Sequence, residues 1–145
     1  MVFKPEHIIA RLKELDTVVE ELSHYKDLTV EDLKNSLSKR WPVERWLIAG
    51  ANLIFDIADH ILASKFHIYP ETYEDSLRLL YENAVVSKEL FAKIEGLGGF
   101  RNILVHDYLG IDLNEEYQNF QKALIVFKEF AREILLTNFI SKEEK

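Results

Sequence analysis

Apolar residues recur at Ile8, Leu12, Leu15, Val19 and Leu22, a 4-3-4-3 spacing. A seam repeating about every 3.5 residues marks a helix in a bundle. It predicts a helix over about 5–25, with Pro5 in a first turn where its missing N–H costs nothing. Thr29-Val-Glu-Asp32 reads as an N-cap with a carboxylate three residues on, opening a short helix to about Leu37. A third helix starts near Ser38 or Trp41, tolerates Pro42 in its first turn, and runs to about Ser64. Its apolar face carries Val43, Trp46, Leu47, Gly50, Leu53, Ile54, Ile57 and Ile61, while Arg45, Asn52, Asp56, Asp59 and His60 are more polar positions.

A loop over 65–71 follows, since Tyr69-Pro70 disfavours helix before the proline. Thr72 and Ser87 cap two further helices, the first with Tyr73, Leu77, Leu80 and Ala84 inward, the second ending at Ile94. Glycines at 96, 98 and 99 predict a bend or a close helix contact. Helical pattern resumes at Phe100 and stops near 108–110. Asp112 caps the last helix, with a seam at Leu113, Tyr117, Phe120, Leu124, Phe127, Ala131 and Ile134. No segment alternates as a strand does. The expected architecture is one all-α domain over 1–145, an antiparallel bundle of four long helices plus short ones, with a frayed tail at 140–145.

Composition agrees. Over 145 residues, 48% are apolar, and with 5 Gly and 3 Pro there are too few turn residues for a β-sandwich or barrel. Cysteine is absent, which excludes disulfides, thiolate metal sites and a cysteine nucleophile. The start, Met-Val-Phe-Lys-Pro-Glu-His, lacks the apolar core of a signal peptide, and the most apolar stretch, 47–55, is too short to span a bilayer. A soluble cytoplasmic protein without a membrane partner is expected.

The densest chemistry lies in Gly98-Gly-Phe-Arg-Asn-Ile-Leu-Val-His-Asp-Tyr108. On a helix, Asn102 and His106 share one stripe, and Arg101 and Tyr108 share the adjacent one. Four polar side chains would form one band on an otherwise apolar, and therefore largely buried, helix. Such groups need partners or a ligand. An imidazole can take and return a proton at neutral pH, and a guanidinium offers a fork to phosphate. This set suits metal-free attack of a ribose 2′-OH on its own phosphate. A buried network fixing dimer register is the structural alternative.

Arg101-Asn102-x-x-x-His106-x-Tyr108, with Val43-Glu-Arg-Trp-Leu and Asp56-Ile-Ala-Asp-His60 upstream, resembles the HEPN domains, and within them the HepT-like toxins. The resemblance covers roughly 5–136. It implies a homodimer whose paired Arg-His motifs face a cleft and cleave RNA without a metal. It implies Arg101 as phosphate stabiliser, His106 as acid–base and Asn102 as geometric support. It further implies a nucleotidyltransferase-fold antitoxin that transfers AMP from ATP to Tyr108. ATP is then the partner's co-substrate, and this chain needs no cofactor. An AMP phosphate on Tyr108 is expected to reach Arg101. Arg45, Asp56 and His60 are candidate cleft-lining residues, with Asp56 and His60 expected as a salt-linked pair. The alternative function is a non-catalytic helical dimer that regulates, or presents nucleotide to, a partner nucleotidyltransferase.

The net charge of −7 argues against extended nucleic-acid binding. It is spread as about −3 over 1–72 and −4 over 73–145, so no basic domain exists. Cleavage needs only a local electropositive cleft, which two copies of Arg101 with Arg40 or Arg45 could supply.

Overall fold

The computed structural model describes residues 2–140. The elements are α1 (Pro5–Ser23), α2 (Val30–Asn35), α3 (Leu37–Phe66), α4 (Tyr73–Glu82), α5 (Lys88–Ile94), α6 (Leu97–His106), a 3-10 turn (Tyr108–Gly110) and α7 (Leu113–Leu135). The fold is all-α. Three helices are long rather than four: α1, α3 and α7. The remaining side is built from α4 and α6, ten residues each, both packed on α3.

Local chemistry sets the boundaries. Thr29 and Asp32 form a reciprocal capping box at α2. Thr72, Ser87 and Asp112 each accept backbone N–H groups at the starts of α4, α5 and α7. α4 stops at Glu82, so Ala84 is not on its inner face; it is exposed with φ of 60°. α3 starts at Leu37, which moves Pro42 beyond the first turn.

The α1 seam is buried as the spacing predicts. On α7 the buried stripe is Glu116, Phe120, Ala123, Val126, Phe127, Phe130 and Ile134. Phe120, Phe127 and Ile134 belong to the expected seam; Glu116 does not, because its charge conceals a core position. α3 runs through the centre of the core. By length and composition it could cross a membrane, yet 56% of its most apolar window is buried against the other helices. The apolar pattern of α3 is that of a core helix. A Cβ at Gly50 would overlap the Phe127 ring, so this glycine lets α3 and α7 approach. Ile140 is buried, contrary to the expected fraying there; the rest of that tail lies outside the described residues.

Candidate active site on α6

The glycine-rich bend becomes an anchored helix start. Gly96 has φ of 92°, a left-handed conformation that favours glycine. The Glu74 carboxylate accepts the N–H groups of Gly96 at 3.1 Å and Gly98 at 2.6 Å. A carboxylate on the free N–H groups of a helix start is favoured by the helix dipole. A Cβ at Gly98 would lie 2.9 Å from the same carboxylate and 3.0 Å from the Tyr73 Cβ. The bend therefore docks α6 closely on α4. Gly99 faces open space, with nothing within 4 Å of a built Cβ.

Arg101 is half-buried and fixed from three sides. Its Nε donates to Asn52 Oδ1 at 2.9 Å and Nη1 donates to Asn102 Oδ1 at 3.2 Å. Its guanidinium carbon lies 5.0 Å from the Tyr73 ring centroid, a cation–π distance. Arg101 opens onto a cleft of about 770 Å³ between α1, α3, α4 and α6, whose walls include Arg45, Trp46, Asn52, Asp56 and Tyr73. Asn102 lies on an adjoining hollow with Asp59 and Ser76. Asp59 donates no charge freely: burial, only partly offset by the Ser76 hydroxyl, raises its carboxyl above the ordinary range.

His106 ends α6 and is exposed, and its ring makes no hydrogen bond among the described residues. The helix is not buried on most sides, contrary to its apolar composition. Ile103 and Val105 are exposed, and Leu109 beyond the helix is 99% exposed.

Tyr108 does not continue the Arg101 stripe, because α6 stops at His106 and Asp107 breaks away with φ of −134°. Tyr108 turns instead to the start of α3. Trp41 Nε1 donates to its Oη at 2.7 Å, and the Arg40 guanidinium carbon lies 4.6 Å from its ring centroid. The arginine in contact with Tyr108 among the described residues is thus Arg40. Burial raises the phenol above its ordinary pKa, with the Trp41 hydrogen bond acting in the opposite sense. Behind Arg40 lies Glu44, 4% exposed, accepting from Arg40 Nε at 2.8 Å.

Among the expected cleft residues, Arg45 and Asp56 line the cleft and His60 does not. Asp56 pairs with Arg11 at 2.6 Å and lies 3.6 Å from His7, so the expected Asp56–His60 pair does not form. His60 Nε2 accepts the Lys4 N–H at 3.1 Å. Burial, then the neighbouring His7, lowers the His60 pKa, which keeps that nitrogen a free acceptor. Among the described residues, no three His, Asp or Glu side chains converge as metal ligands.

Asn52, Glu44 and Glu116 were not singled out by sequence as site residues. Asn52 left one signal, a polar residue interrupting the apolar run of α3. The two glutamates left none.

Comparison with known proteins supplies the frame. The sequence matches the Ribonuclease HepT-like family over residues 8–134. It is 27% identical over 131 residues to the tRNA nuclease HepT of Aphanizomenon flos-aquae, covering 90% of this chain and 89% of that protein. It is 33% identical over 75 residues to the mRNA nuclease HepT of Shewanella oneidensis, covering 52% and 56%. The fold matches that of the tri-AMPylated Shewanella oneidensis HEPN toxin, solved in complex with its MNT antitoxin, with a TM-score of 0.80 at 24% identity over 90% of this chain and 97% of that one. A cytosolic protein of unknown function from Bacillus subtilis, YutE, has the same fold, with a TM-score of 0.79 at 20% identity over 99% and 95%. This chain therefore belongs to the ribonuclease HepT-like family.

Proposed function

We propose that this chain is a metal-independent endoribonuclease, the toxin of a toxin–antitoxin pair, acting as a homodimer. The observation that carries this reading is the contrast along α6. Arg101 is held rigidly at a cleft wall by Asn52, Asn102 and Tyr73, while His106 on the same helix stands exposed and unengaged. A fixed cation and an unengaged imidazole are the division of labour that phosphodiester transfer requires.

In the proposed reaction His106 takes the proton of a ribose 2′-OH. The 2′-oxygen forms a bond to phosphorus and the bond to the 5′-oxygen breaks. Arg101 stabilises the extra charge on the phosphate oxygens, and Asn102 holds the guanidinium plane. A second imidazole, His106 of a second copy, returns a proton to the leaving oxygen. The products are a 2′,3′-cyclic phosphate and a 5′-hydroxyl.

Neutralisation is assigned to a nucleotidyltransferase antitoxin that transfers AMP from ATP to Tyr108. Two relatives named as nucleases, and a fold match solved with its antitoxin and AMPylated, support both halves. The test is RNA cleavage in EDTA by the purified chain, paired with His106→Ala. A non-catalytic regulatory dimer predicts Tyr108 modification with no cleavage by either protein.

A further inference from the structure

Behind Tyr108 lies a group of charges that the proposed cleavage does not use. Glu116 is 0% exposed and both its side-chain oxygens lack a hydrogen-bond donor among the described residues. It lies beside Glu44, which is itself engaged by Arg40. Two buried carboxyl groups satisfy one another only by sharing a proton, since neither donates when ionised. Burial and the adjacent Glu44 raise the Glu116 pKa to about 9. At neutral pH Glu116 therefore keeps its proton, while Arg40 stays paired with Glu44.

The geometry of Arg40 follows from this. Its Nε is committed to Glu44, which fixes the guanidinium plane against the Tyr108 ring. Its two terminal nitrogens make no hydrogen bond among the described residues. The guanidinium lies over the Tyr108 ring, whose Oη accepts from Trp41. Were Glu116 ionised, two buried negative charges would surround Arg40 and repel an arriving anion. With Glu116 protonated, the site has an oriented fork and no excess negative charge.

We propose that Arg40, oriented by Glu44 against the Tyr108 ring, is the phosphate-binding residue of the Tyr108 site. Its ligand is the phosphate of a nucleotide being joined to Tyr108, and then the resulting phosphodiester. This rests on the reading of Tyr108 as AMP acceptor. Tyr108 Oη forms a bond to the α-phosphorus of ATP, the bond to the pyrophosphate leaving group breaks, and the phenolic proton passes to water. Arg40 stabilises the charge on the α-phosphate through its terminal N–H groups. Trp41 Nε1, already donating to Oη, holds that oxygen in place.

The experiment follows AMP addition to the full-length chain by intact mass over time, with an antitoxin-type nucleotidyltransferase and ATP. The variants are Tyr108→Phe, Arg40→Gln, Arg40→Lys and Glu116→Gln, each checked for folding by circular dichroism and for capture by the transferase. Arg40→Gln is expected to slow labelling about tenfold or more, the worth of one charge-assisted hydrogen bond. Arg40→Lys, which keeps the charge without the fork, is expected to fall between. Glu116→Gln, a neutral mimic of the shared-proton state, is expected to label within about twofold of wild type. Labelling of folded, transferase-bound Arg40→Gln or Arg40→Lys at the wild-type rate overturns the role of Arg40 and leaves the Tyr108 reading intact. Loss of labelling in folded Glu116→Gln overturns the neutral-carboxyl part. Equal mass gain by wild type and Tyr108→Phe removes the acceptor assignment itself.

Discussion

Arg101 on α6 donates through Nε to Asn52 Oδ1, 49 residues earlier on α3, at 2.9 Å. This contact ties the candidate phosphate-binding guanidinium to the most extensively packed helix of the fold. A loop could not hold it as well, because side chains on packed helices lose little further freedom when substrate arrives. Asn52 itself is exposed, so it can be changed without opening the core. Asn52→Ala is expected to leave the melting temperature within about 2 °C of wild type and to lower kcat for RNA cleavage by roughly 5- to 30-fold, since one oriented hydrogen bond to a charged group is lost. Steady-state kinetics beside a thermal melt checks this; a melt that drops in parallel with kcat would assign Asn52 to stability instead.

Two glycines make opposite predictions. At Gly50 an added methyl meets the buried Phe127 ring, so Gly50→Ala is expected to destabilise by about 1–3 kcal/mol. At Gly99 an added methyl meets nothing, and the residue lies in the first turn of α6, so Gly99→Ala is expected to stabilise by up to about 1 kcal/mol. Chemical denaturation of both variants measures the difference. If RNA or a second copy approaches α6 closely at Gly99, the same stabilised variant loses nuclease activity.

Burial and Glu44 raise the Glu116 pKa to about 9, which makes stability depend on pH. The unfolded chain releases this proton near its ordinary value of 4.5, whereas the folded chain keeps it until about 9. The folded state therefore binds more protons across that window, and stability falls as pH rises through it. Glu116→Gln cannot lose a proton. Its melting temperature is expected to overtake that of wild type between about pH 5 and 9, by at least about 5 °C at the alkaline end. Parallel melting curves across that range would contradict the shared-proton state.

Leu109, Val105, Ile103 and Trp41 are exposed apolar residues on and beside α6. If the chain pairs through the exposed Val105 and Leu109, Val105→Asp and Leu109→Asp should weaken the dimer at least about tenfold without lowering the melting temperature of the monomer. Analytical ultracentrifugation over a concentration series reads this out. Unchanged association would place the dimer contact elsewhere.

Much of the bundle is legible from apolar spacing and cap residues. α1 buries the seam its periodicity announces, and Thr29, Thr72, Ser87 and Asp112 cap where their side chains predict. The Arg101–Asn102 contact is not legible from spacing, because adjacent residues on a helix point about 100° apart and only the side-chain conformations chosen in the fold bring them together. Tyr108 illustrates the limit. Its spacing from Arg101 fits a helical stripe, but Asp107 ends the helix one residue before it, and only packing decides that. The Arg40–Glu44–Glu116 cluster is illegible for a different reason. A buried carboxyl depends on contacts between α3 and α7, and in sequence a core glutamate is indistinguishable from a solvated one. Asp56 and His60 show the same effect: correct helical spacing is overridden by Arg11 and by the Lys4 N–H, both from the chain's first residues.

The central claim is that Arg101 and His106 cleave RNA by internal 2′-OH attack. Its most direct test is the end chemistry of the products formed by the purified chain in EDTA, compared with Arg101→Ala and His106→Ala at equal concentration. The account predicts 2′,3′-cyclic phosphate and 5′-hydroxyl ends from wild type, with rates lower by at least about 100-fold in each variant. Undiminished cleavage by folded His106→Ala, or 5′-phosphate ends from wild type, would contradict it.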